Sequence, residues 1–201
     1  PRGNDHWRCA VVNFSQLPLH VQQEVLQLAE QHTQPLCAYL YDLTALEQHI
    51  KQMKHVLPKN VELFYAAKAN PSEPILRTLA PYVDGFEAAS GGELVHLHQQ
   101  QLNMPLIFGG PGKMPIGLEQ AIELNIDAIH VESLTELQRI ATLTETLDRS
   151  ATIFLRMNID IGDITLSKLA MGGKPTPFGL DESELSNALM LLRDFPKVHL
   201  K

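Results

Sequence analysis

From residue 36 onward the chain alternates short apolar runs with longer stretches in which apolar residues recur every three or four positions. The short runs at 36–41, 61–67, 85–88, 105–108, 128–131, 152–157 and 198–201 predict strands. The longer stretches at 43–56, 75–80, 92–100, 118–124, 134–147 and 181–193 predict helices between them. Before this alternation, residues 1–34 read as an irregular lead-in with one amphipathic helix over 18–34, which Ser15 could cap and Pro35 would stop. Ser133 with Glu136, and Ser90 with Glu93, have the spacing of a capping box at the start of the helices that follow them.

Single strands alternating with single helices require parallel pairing, because each helix returns the chain to the same edge of the sheet, so the fold class is α/β. A barrel is favoured over an open sheet on two grounds. No Gly-rich dinucleotide fingerprint follows the first strand, and polar residues recur at strand ends: Lys68, Glu87, Glu132 and Arg156. A (β/α)8 barrel collects such residues at one rim. A complete barrel takes ~250 residues, so about six barrel strands are expected here and the barrel is incomplete. The expected division is therefore a lead-in at 1–34 and a partial barrel domain at 35–201.

Composition narrows the function. A hydrophobic content of 44% supports a globular core, and a net charge of −7 without a Lys/Arg cluster excludes a nucleic-acid footprint. No apolar stretch approaches the ~18 residues of a membrane span, and the first residues carry no signal-peptide pattern, which together point to a cytoplasmic protein. Cys9 and Cys37 are not in a paired metal-binding spacing and read as reduced thiols. The nine histidines are scattered, so no metal site is expected.

The chemistry centres on Lys68 in Tyr65-Ala66-Ala67-Lys68-Ala69-Asn70, at the exit of an apolar strand that Asn70-Pro71 stops. An amine held in apolar surroundings has a lowered pKa, and the neutral form attacks a carbonyl, so a Schiff base with an aldehyde cofactor is one reading. A lysine that has simply reached solvent is the other. Glu87 ends the next strand, ahead of the small residues Ala88-Ala89-Ser90-Gly91-Gly92. Arg156 lies within the run 152–157, where a guanidinium needs an anionic partner, either a cofactor oxygen or a structural carboxylate such as Glu132. The stretch Gly109-Gly110-Pro111-Gly112-Lys113 lacks the spacing of a phosphate-binding loop and reads as a turn. Residues 163–179, rich in Gly and Pro, form a long connection of the kind used in binding loops.

Taken together, Tyr65 to Asn70, Glu87 to Leu94, Glu132-Ser133 with Glu136-Leu137, Arg156-Met157-Asn158 and Phe178-Gly179 resemble the fold type III pyridoxal-phosphate enzymes. These include the ornithine, arginine and diaminopimelate decarboxylases and alanine racemase. The stretch Met171 to Gly179 looks like the branch that decarboxylates amino-acid intermediates of carboxylate siderophores. The resemblance implies an alanine racemase-type barrel and pyridoxal 5'-phosphate held by Lys68 as an aldimine, with Glu87 and Arg156 beside it. It also implies decarboxylation of a siderophore intermediate or a basic amino acid, and a homodimer. Glu87 stands where these decarboxylases usually carry aspartate, which keeps the charge and adds a methylene. The family's C-terminal β domain, ring-stacking histidine and phosphate loop are absent from this sequence. An amino-acid racemase and a non-catalytic pyridoxal-phosphate homeostasis protein are the alternatives, and the segment Ala89 to Leu94 argues against the second.

Overall fold

The structure, a computed structural model, describes residues 13–32, 37–159 and 177–201. The chain divides into two compact units, residues 1–45 and 46–201. In the first, a 3-10 turn at Phe14–Gln16 precedes α1 (Leu19–Gln31). The cap of α1 is Pro18 rather than Ser15, and the helix ends at Gln31 with His32 as its C-cap; residues 33–34 of the expected span lie outside the described residues. The expected strand at 36–41 does not form over its described part, 37–41. Tyr39, Leu40 and Tyr41 are exposed there, so the apolar run finds no sheet neighbour among the described residues. An imidazole nitrogen of His20 lies 2.8 Å from Asp42 Oδ2. α2 (Leu43–Val56) begins in this unit and continues into the second.

The second unit is built on a parallel sheet of β1 (Phe64–Ala66), β2 (Gly85–Ala88), β3 (Leu106–Phe108), β4 (Ala128–Val131), β5 (Ala151–Leu155) and β8 (Val198–Leu200), in that spatial order. These are the six expected strands of an incomplete barrel. Helices α3 (Glu73–Leu79), α4 (Gly91–Gln99), α5 (Pro115–Glu123), α6 (Leu134–Leu147) and α7 (Leu185–Asp194) connect them. A short pair, β6 (Met157–Asn158) with β7 (Leu180–Asp181), was not legible in the sequence pattern. Consequently α7 starts at 185 rather than 181, because Asp181 belongs to β7 and its carboxylate accepts from Ser183 N.

Burial alternates along the strands. Phe86, Ala88, Phe108, Ile129, Val131 and Ile153 are fully buried with Leu76, Leu94, Leu118, Ile122, Leu137 and Ile140 of the helices. Their neighbours Glu87, Ile107, His130 and Phe154 are only half-buried and form the inner face. Period-two alternation thus separates the core from the face that carries chemistry.

Strands β2 and β4 share a detailed local repeat. Residues 84–94 (DGFEAASGGEL) and 127–137 (DAIHVESLTEL) both run from an aspartate through a strand to a capped helix. Asp84 accepts from Leu63 N and returns its own N–H to Leu63 O; Asp127 does the same with Leu106. Ser90 and Ser133 each accept from the backbone N–H three residues on. The glutamates Glu93 and Glu136 do not close a reciprocal box. They accept instead from the residue before the cap, Ala89 and Glu132, at 2.9 and 2.8 Å. Each helix therefore ties down the last turn of its strand, and Glu87 and His130 occupy equivalent positions in the two copies.

Asp84 also pairs with Lys54, and this bond, with the Leu63 N–H, holds its carboxyl below the ordinary aspartate range. Such a group stabilises the fold above its unfolded pKa, and that contribution disappears as pH falls through the lower folded value. Asp84→Asn is expected to cost about 0.5–1 kcal/mol at neutral pH, since the pair is partly exposed. Urea titrations should show that deficit shrinking below about pH 4.

Candidate functional site

At the C-terminal ends of the strands lies a cavity of about 590 Å³ lined by Lys68, Glu87, Gly110, His130, Arg156 and Phe178, among others. All three residues singled out in the sequence meet on it. Its size falls in the range of small-molecule sites, and it presents an amine, a carboxylate and a guanidinium to one ligand.

Lys68 sits in a 3-10 turn, Ala67–Ala69, directly after β1. The apolar surroundings expected for it are not found: Lys68 is exposed, and the fully buried member of the turn is Ala67. The turn rolls the lysine out of the sheet while the small alanine packs inward. Neighbouring bonds fix the turn. Tyr65 Oη donates to Asn70 O at 3.2 Å, and Asn70 Oδ1 accepts from Ser72 N at 3.0 Å. The Tyr65 ring meets Phe86 edge-on at 6.2 Å.

Arg156 lies at the break between β5 and β6, not inside a continuous strand. Its Nη1 donates to Glu132 Oε1 at 3.0 Å, so the structural carboxylate considered from the sequence is its partner. Glu132 is buried and also accepts from Gly179 N through Oε2 at 2.9 Å. Gly179 has φ +84°, and a Cβ there would come within 2.9 Å of Arg156 O, which accounts for glycine at this position. The guanidinium carbon stands 5.0 Å from the centre of the Phe178 ring and the side chain keeps 37% of its exposure, so Arg156 is oriented yet still faces the cavity. Of the long connection, residues 163–176 lie outside the described residues.

Two features escaped the sequence reading. Lys113, at the end of the Gly-rich turn, is buried and donates to both oxygens of Glu136, at 3.0 and 3.2 Å, and to Gly110 O at 2.6 Å. Burial pushes its pKa down, and the Glu136 carboxylate opposes that shift. A lysine three residues after a glycine pair gave no sign of this. His130 was one histidine among nine, and only the repeat described above aligns it with Glu87. Burial also pushes the His130 pKa down, while Glu87 is the strongest influence in the opposite direction. Among the described residues, no group of three or more His, Cys, Asp or Glu side chains is placed to hold a metal ion, and no helix is long and apolar enough to cross a membrane.

Comparison with known proteins places this geometry among others. Residues 43–200 match the family model described as pyridoxal-dependent decarboxylase, pyridoxal binding domain. The chain is 38% identical over 182 residues to the 2-[(L-alanin-3-ylcarbamoyl)methyl]-2-hydroxybutanedioate decarboxylase of Staphylococcus aureus, covering 90% of this chain and 45% of that one. It is 33% identical over 160 residues to a diaminopimelate decarboxylase of Helicobacter pylori, covering 79% of this chain and 39% of that one. A crystal structure of the Helicobacter pylori diaminopimelate decarboxylase complexed with L-lysine superposes with a TM-score of 0.74 at 30% identity, covering 87% of this chain and 44% of that chain. The chain thus spans less than half the length of these relatives.

Proposed function

Because the chain belongs to the pyridoxal-dependent decarboxylase family, through its pyridoxal-binding domain, we propose that it is the cofactor-binding part of an amino-acid decarboxylase. The observation that carries this reading is the convergence of Lys68, Glu87 and Arg156 on one cavity at the strand ends. An exposed amine beside an anchored guanidinium and a carboxylate suits an aldehyde that also bears anionic and basic ring atoms. When bound, pyridoxal 5'-phosphate supplies an electron sink for the bond to the departing carboxylate.

The roles of the chain's own residues follow from their positions. Lys68 would hold the cofactor covalently, and its Nζ would be placed to move a proton. Arg156, aimed by Glu132, would supply positive charge to an anionic oxygen of the cofactor. Glu87 contributes negative charge on the neighbouring wall. In this reading residues 35–201 form the cofactor-binding barrel part and residues 1–34 its lead-in.

For the substrate we propose an amino acid joined to a hydroxycarboxylate arm, as in siderophore assembly, with basic amino acids second. The higher identity to the Staphylococcus aureus enzyme, whose name describes such a compound, supports that order. A cytoplasmic homodimer completes the reading, the dimer by family resemblance. The test is borohydride trapping of pyridoxal phosphate on the full-length protein, followed by peptide mass spectrometry. A pyridoxyl label on Lys68 is expected; folded protein without it would overturn the proposal.

A further inference from the structure

The glycine between β3 and the Gly-rich turn connects two residues of the site. Glu87 and His130 come from β2 and β4, and in a barrel alternate strands fill the same interior layer. The intervening strand ends at Phe108, and the next residue, Gly109, has no side chain to separate them. A Cβ at Gly109 would overlap Oε1 of Glu87 and stand 3.5 Å from Nδ1 of His130. Both groups therefore lean over the same glycine. The extra methylene that distinguishes Glu87 from an aspartate is what extends its carboxylate over this position.

We propose that Glu87 and His130 work as one acid–base pair reaching across Gly109, with the Glu87 carboxylate partnering the imidazole that lines the candidate site. Within the repeat the two are counterparts, so the same fold element is used twice to bring an acid and a base to one layer. The His130 ring is braced by Phe154, edge-on at a centroid distance of 5.4 Å. The other charged groups acting on His130 are Lys113 from the Gly-rich turn, Glu132 from its own strand and Arg156 beyond β5. Lys113 and Glu132 are each paired elsewhere, with Glu136 and Arg156 respectively. Glu87 is thus the carboxylate left to oppose the effect of burial on His130. A neutral or charged imidazole in the cavity that Lys68 also lines changes which proton transfers the pocket supports near neutral pH. That consequence rests on the function proposed above; the pairing itself does not.

The test is a pH titration of the His130 ring by NMR in the full-length protein without added cofactor, using protein labelled with 15N-histidine. His130→Asn identifies the signal by its loss. The His130 midpoint is expected to move down in Glu87→Gln, which removes the charge, and also in Glu87→Asp, which keeps the charge but withdraws it by a methylene. An unchanged midpoint in Glu87→Gln would overturn the pairing. A shift in Glu87→Gln alone would show an effect of charge without reach and would equally overturn it. Borohydride labelling of Lys68, run in parallel, separates the two ideas: a missing label with both shifts present supports the pair and removes only the cofactor reading.

Discussion

Under the proposed decarboxylase function, Lys68→Arg is expected to lower the full-length protein's turnover of amino-acid substrates by at least about 10²–10⁴-fold, the range for losing a positioned proton-transfer group. The substitution keeps a long cationic side chain. However, a guanidinium stays protonated throughout the working range and does not attack a carbonyl, so covalent attachment of the cofactor is lost as well. Because Lys68 is exposed, the core does not depend on it, and the melting temperature should stay within the scatter of the parent protein. Steady-state kinetics and a thermal melt on the same preparation check both halves. A variant that retains activity would remove Lys68 from the chemistry; one that melts much earlier would show a structural role that its exposure does not suggest.

The largest effect on stability is expected at the other lysine. Lys113 and Glu136 form an ion pair with side chains 0% and 7% exposed. Taking two charges out of water is costly, and their attraction roughly repays it only while both remain. Glu136→Leu leaves the Lys113 ammonium with Gly110 O as its remaining bonded partner among the described residues, and strips the acceptor from Glu132 N. A loss of about 3–5 kcal/mol is expected, the range for breaking a buried pair from one side. Combining it with Lys113→Met should restore part of that loss, since the uncompensated charge is then gone, while the unpaired Glu132 N–H remains. Denaturant melts of the two single variants and the double variant form the cycle that measures the coupling.

These two lysines mark what the sequence discloses and what it conceals. Strand and helix order was legible because apolar spacing switches between periods of two and 3.6, and β2, β4, α2 and α6 fall on the expected residues. The run at 37–41 has the same composition as the strands but lies open, since pairing depends on a neighbour that local pattern does not report. The site was legible where a strand end carries a charged residue, which is how Lys68, Glu87 and Arg156 came forward. Lys113 and His130 were concealed for a topological reason. Lys113 meets Glu136 across 23 positions, and His130 and Glu87 approach the same glycine, Gly109, only because it follows the strand that lies between theirs. Even the capping glutamates illustrate the limit: spacing identified the helix starts, but the carboxylates bond one residue earlier than a reciprocal box would have them.

Glu132 holds Arg156 with one oxygen and the backbone of Gly179 with the other, and β6 pairs with β7 just alongside. The chain is thereby stitched shut at the base of its longest connection, on the residues that flank it. Such a closure gives Arg156 and Gly179, on opposite sides of residues 160–176, one carboxylate in common. One acid thereby sets both the aim of the guanidinium and the point at which the chain rejoins the fold at β7.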